Sequence, residues 1–97
     1  LPTELLVAAH IKKRRECTDE EKRDLNNVAM LACVLGCDAL FEHGYILVDK
    51  NGVVKVNQRS EAALRHKELF TDLVGRQCPA HTLSSEKYFS WHREAHR

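Results

Sequence analysis

A histidine, a basic run, an asparagine and two carboxylates follow one another in this chain in an order that suits work on a phosphate ester. His10 ends the apolar run Leu5-Leu6-Val7-Ala8-Ala9, and Lys12, Lys13, Arg14 and Arg15 come almost directly after it. Asn27 closes the stretch Asp24-Leu25-Asn26-Asn27, ahead of a second apolar run over 28–33. Asp38 and Glu42 lie in the segment 37–43, which reads as a helix stopped by Gly44. A neutral strand-end histidine can deprotonate water for in-line attack on phosphorus, its ring held by a hydrogen bond from a loop group. A divalent cation beside the scissile phosphate would offset charge on the pentacoordinate state and on the leaving oxygen. Aspartate oxygens suit Mg²⁺ or Mn²⁺, whereas histidine tolerates Mn²⁺, Ni²⁺ or Zn²⁺ better. Cations at 12–15 would meet the substrate phosphate where it approaches His10.

Each of these residues also has a plainer use. A single strand-end histidine is more often a structural hydrogen-bonding group, and it is the ordered company of Asn27 and Asp38 that favours chemistry. Asp38 can cap its own helix, Glu42 can be a solvated helix residue, and the basic run can be a solvated loop. His92 and Arg93 could touch DNA, but Trp91 beside them argues for a tail packed into the core. His66, His81 and His96 carry no argument from sequence.

The elements that must position these groups can be read from local pattern. The run before His10 suits a buried strand, and 28–33 can pair with it around a long loop. Within that loop Thr18-Asp19-Glu20-Glu21 puts a capping threonine before acidic first-turn residues, which predicts one short helical turn. Asp24 to Asn27 is turn chemistry. Gly36 breaks the second run before the helix of 37–43. Tyr45 to Asp49 and Val53 to Asn57 flank Lys50-Asn51-Gly52, the strongest hairpin signal in the chain. Ser60 can cap a helix that turns Ala63, Leu64, Phe70, Leu73 and Val74 inward and ends at Gly75. A last helix runs from Ser84 or Ser85 to the terminus, with Tyr88 and Trp91 on one face. The fold class is α+β, with two small hairpins and three or four helices.

With 97 residues, 43% hydrophobic and 30% charged, the chain has the composition of one ordinary globular domain. A net charge of +1 gives no bulk attraction for nucleic acid, so any such contact must come from a local patch. No apolar run approaches the ~20 residues that a bilayer span requires. Without a signal peptide, Cys17, Cys33, Cys37 and Cys78 read as reduced thiols or metal ligands in a cytoplasmic setting. The opening Leu1-Pro2-Thr3 reads as a piece cut from a longer protein.

Ala8-Ala9-His10-Ile11, Asp24-Leu25-Asn26-Asn27 and Leu40-Phe41-Glu42-His43-Gly44-Tyr45-Ile46, taken in order, resemble the HNH endonucleases of the ββα-metal fold. Tyr88-Phe89-Ser90-Trp91-His92-Arg93-Glu94 is similar to the tail that often closes this branch of the family. The likeness runs from about His10 to Glu94, most of the chain. It implies a single domain over 1–97 with a ββα-metal core, an additional β-hairpin and C-terminal helices. It implies a metal-dependent DNA endonuclease activity by phosphodiester hydrolysis. His10 would be the general base and Asn27 the residue that braces the loop and orients it, with adjacent Asn26 as the substitute. The final histidine of the family pattern falls on Asp38, so the chain reads His-Asn-Asp.

Asp38 would then bind Mg²⁺, with Mn²⁺ or Ni²⁺ as alternatives, helped by Glu42, His43 or phosphate oxygens. Ala9 stands where many of these nucleases have an acidic metal ligand. The resemblance also implies a missing upstream strand and a DNA-recognition domain, supplied by a restriction-type or mobile-element parent protein. A homodimer would decide between nicking and double-strand cutting. Two other readings stand beside this one: a catalytically inactive ββα-metal module for DNA or protein binding, and a small zinc-stabilised interaction domain. The zinc ligands would be Cys33, Cys37, Cys78 and His81.

Overall fold

Strand β1 (Leu6–His10) pairs antiparallel with β2 (Ala29–Cys33), in a register that sets His10 opposite Ala29 and Leu6 opposite Cys33. The computed structural model describes residues 3–33 and 37–97, so Gly36 lies outside the described residues. Ala9 and Ala32 face the core, while the cross-strand partners Ala8 and Leu31 face out. The connection between these strands is built rather than slack. It holds a 3₁₀ turn (Arg14–Glu16), α1 (Asp19–Arg23) and the single-turn α2 (Leu25–Val28). Thr18 caps α1 reciprocally with Glu21: its hydroxyl accepts from the Glu21 N–H, and the Glu21 carboxylate accepts from the Thr18 N–H. The stretch expected as a turn at 24–27 winds into helix because the Asp24 carbonyl accepts from both Asn27 and Val28 N–H groups.

Helix α3 (Cys37–Glu42) ends at Gly44, whose φ of 71° takes it into the left-handed region. A Cβ there would also collide with the ring of His96, so glycine is required twice over. The second hairpin joins β3 (Ile46–Val48) to β4 (Val54–Val56). Its turn is organised by Asp49, whose carboxylate accepts from the N–H groups of Asn51 and Val53 at 2.9 and 3.0 Å. Those bonds to the charged form hold the Asp49 carboxyl below its ordinary range.

The helix expected to run unbroken to Gly75 stops early. Ser60 caps α4 (Glu61–Arg65) through the Ala63 N–H, but the chain then tightens into a 3₁₀ turn at Lys67–Phe70. The reason lies across the fold: Gly75 N–H donates to Val54 O, and Val54 N–H donates to Arg76 O. A continuous helix could not supply those strand-like bonds to β4. Phe70 still reaches the core, whereas Leu64, expected inside, is 37% exposed.

Helix α5 (Glu86–Ala95) buries Tyr88, Phe89 and His92 and lies against β3. Trp91 is only half-buried, with the Lys12 ammonium 6.0 Å from its ring centre. Phe41 from α3 meets Phe89 edge-on at 6.1 Å, joining α3 to α5 in a core with Ile11, Val28, Ile46, Val48, Ala63 and Phe70. No described helix is long and apolar enough to cross a membrane.

Candidate active-site cleft

His10 is the last residue of β1, and the chain behind it is fixed before the basic loop begins. Ile11 is buried and donates its N–H to Val28 O at 2.7 Å, which locks the end of β1 to α2. Lys12 then turns away from the loop and pairs with Glu21 at 2.9 Å. The buried Cys17 thiol closes the loop from beneath, donating toward the carbonyls of Lys12 and Lys13. Burial, with Glu21 nearby, pushes that thiol above its ordinary range, so it stays protonated. The 3₁₀ turn so anchored presents Lys13, Arg14 and Arg15 on one side.

Those three cations, His10, Asp38, Glu42 and the side of Phe41 line one cleft of about 450 Å³. Asp38 lies in the first turn of α3 and Glu42 one turn later, so both carboxylates project from the same helix face. Among the described residues, none of Lys13, Arg14, Arg15, Asp38 and Glu42 has an ion-pair partner. His10 Nδ1 is buried and has no hydrogen-bond partner there either. Ala8 and Ala9 form the remaining wall and bring no charge. Among the described residues, no group of three or more His, Cys, Asp or Glu side chains is drawn together tightly enough to hold a metal ion.

The structure thus gathers His10, Lys13, Arg14, Arg15, Asp38 and Glu42, but not Lys12 or Asn27. The Asn27 amide donates to one carboxylate oxygen of Asp24 at 2.8 Å, and the Tyr88 hydroxyl donates to the other at 2.7 Å. Those two bonds, with Lys87 nearby, hold the Asp24 carboxyl below its ordinary range, while burial and the Asp24 carboxylate push the Tyr88 hydroxyl up. Asn27 therefore braces the turn whose Val28 carbonyl accepts from the N–H of Ile11, the residue after His10. Asn26 is exposed beside Leu25 and Leu31.

Two residues that sequence reasoning left aside matter to the cleft. His92 lies behind its floor, stacked on Phe41 with ring centres 3.6 Å apart, and its Nε2 donates to Phe41 O at 2.6 Å. Burial drives the His92 pKa down from an ordinary 6.5 to about 4, so the ring is neutral. Asp24 is the hub that ties α5 to α2. The Asp-x-x-Asn spacing was its only signal in sequence. Arg93 binds Val48 O and Glu86, so the tail is packed, as Trp91 suggested.

Of the cysteine ligand set, the side chains of Cys33 and Cys37 lie outside the described residues. His81 Nε2 is engaged with Glu86 at 3.0 Å. The chain matches no protein-family model, and no curated protein is detectably similar to it.

Proposed function

We propose that this chain is a metal-dependent DNA endonuclease domain of HNH type, cutting by hydrolysis of a phosphodiester. The observation that carries the reading is the cleft itself, which His10 lines together with three cations and two carboxylates that have no ion-pair partner among the described residues. Unpaired charges of both signs in one concavity suit a substrate that is an anion and arrives with a cation. Asp38 and Glu42 fit Mg²⁺ or Mn²⁺ in the way such ions are usually held, by one or two carboxylates, several waters and the substrate's own phosphate oxygens. A tight three-residue protein cage is not needed for that. When bound, the ion would offset charge on the pentacoordinate phosphorus and on the leaving oxygen.

The chain's own residues do the rest. Lys13, Arg14 and Arg15 draw the phosphate into the cleft and neutralise its spectator oxygens. His10, in its neutral form, takes the proton of the attacking water. The Asn27–Asp24–Tyr88 hydrogen bonds keep the end of β1 in place while it does so. Phe41 and His92 form a dry floor that keeps α3 from shifting.

A second reading, a ββα-metal domain that binds DNA without cutting, is favoured by Ala9, which leaves the carboxylates to α3 alone. Plasmid incubated with the protein in Mg²⁺, Mn²⁺ or EDTA, beside a His10→Ala protein, separates the two. The nuclease reading expects metal-dependent nicking that falls at least about a hundredfold in the variant. Plasmid that is bound but intact in every lane would replace it with the second reading.

A further inference from the structure

The molecule has a second cleft, of about 360 Å³, which the catalytic reading does not use. Arg59, Arg93, Arg97 and one carboxylate, Glu94, line it with Gln58, and His96 is part of the wall. Its geometry is set by Asn57, a buried asparagine whose two amide N–H groups and oxygen are all hydrogen-bonded. The Asn57 side chain donates to Gly44 O at 2.8 Å and to His96 O at 3.0 Å, and its oxygen accepts from the Arg59 N–H at 3.0 Å. Three chain segments are thereby pinned together: the end of α3, the end of α5 and the turn after β4. The bond to His96 O also covers a carbonyl at the negative end of α5, which would otherwise oppose an anion.

The His96 ring lies directly on Gly44, two residues beyond the Glu42 that lines the first cleft. Its pKa is lowered by burial first and then by the charges of Lys13 and His43, so Lys13 in the first cleft is electrostatically close to the wall of the second. The Gly44–His96 contact thus stands between Lys13 and Arg14 in the first cleft and Arg59 and Arg97 in the second. Arg93 in the second cleft is neutralised by Glu86, and Glu94 pairs with Arg97 at 3.0 Å. The latter pair is highly exposed on both sides, and such pairs hold weakly enough to yield to a phosphate.

We infer that this second cleft, through Arg59 and Arg97, is a phosphate subsite for the same DNA strand whose scissile phosphate occupies the first cleft. This rests on the DNA reading and adds to it a direction along which the backbone leaves the catalytic cleft. The probe is a fluorescein-labelled DNA duplex in EDTA, with its dissociation constant measured by anisotropy over a range of salt. Three proteins are compared: the unmodified chain, Arg59→Ala with Arg97→Ala, and Lys50→Ala with Arg65→Ala. The last removes the same charge from exposed positions that line neither cleft. The expected result is weaker binding by the first pair, with a salt slope smaller by about 0.9 for each phosphate no longer held, and no change in slope for the second pair. Equal slopes for all three, with binding intact, would overturn this inference and leave the endonuclease reading standing. No binding by the unmodified chain would overturn the DNA reading and this inference with it.

Discussion

On the α5 side of Phe41, Arg93 grips Glu86 through two hydrogen bonds and Val48 O through a third, while Asp24 takes up Tyr88, Asn27 and Lys87. On the other side, Lys13, Arg14, Arg15, Asp38 and Glu42 face a cleft with no ion pair among the described residues. Both regions are rich in charge, and they use it differently. Where charges are spent on one another, they hold helices together and are lost to any ligand. Where they are left unpaired at the edge of a rigid core, they stay open to solvent and to a ligand. Charge composition alone cannot separate these cases, since the chain as a whole is nearly neutral. The pairing does.

If this division is right, acid should attack the α5 side first. His92 is neutral in the folded state, with a pKa of about 4 against an ordinary 6.5. Between those values the unfolded chain binds more protons than the folded one, so stability is full above about pH 6.5 and falls as pH drops toward 4. The loss from this residue alone is about 3 kcal/mol. Glu86 and Asp24, both held below their ordinary range by hydrogen bonds, add a further loss once pH falls below the range of free carboxylates. Urea unfolding at pH 7 and pH 5 measures this. A His92→Gln protein, which keeps a donor for Phe41 O, should show a flatter profile over that interval, and equal stability of the unmodified chain at both pH values would break the account of the buried ring.

Arg93→Ala should cost somewhat less, about 2 kcal/mol, because it leaves Val48 O and the Glu86 carboxylate without their main partner while Glu86 retains His81. Its effect should appear in the unfolding midpoint. DNA binding at a temperature where the variant is folded should be little changed, since Arg93 is committed to the fold. A large loss of DNA affinity in the folded variant would blur the comparison and give the tail a share in binding.

Much of this architecture is legible from short stretches of chain. The Thr18 and Ser60 caps, the Asp49 to Gly52 turn and the glycine stop after α3 are fixed by neighbours within a few residues, and sequence reading finds them. The break after α4 is not local, because it depends on Gly75 and Arg76 bonding to β4. Lys12 reads as one of four equivalent basic residues, yet the placement of α1 hands it to Glu21 and only three remain at the cleft. Asn27 reads as a residue that orients His10, whereas its amide bonds Asp24, which also takes up Tyr88 on α5 far along the chain. His96 carried no signal at all, because its importance comes from resting on Gly44. What the sequence could not convey was which polar groups would find one another across the core.

On this reading the cations beside His10 serve a ligand and contribute little to the fold. The most direct measurement takes one protein with Lys13→Ala, Arg14→Ala and Arg15→Ala and records both its thermal unfolding and its binding to duplex DNA across salt. The unfolding midpoint should stay within about six degrees of the unmodified chain, because each exposed substitution of this kind rarely exceeds about 0.5 kcal/mol, or about two degrees in a domain of this size. The salt slope of DNA binding should fall at the same time by about 0.9 for each phosphate no longer engaged. An unchanged slope, or a loss of stability comparable to that of Arg93→Ala, would contradict this reading.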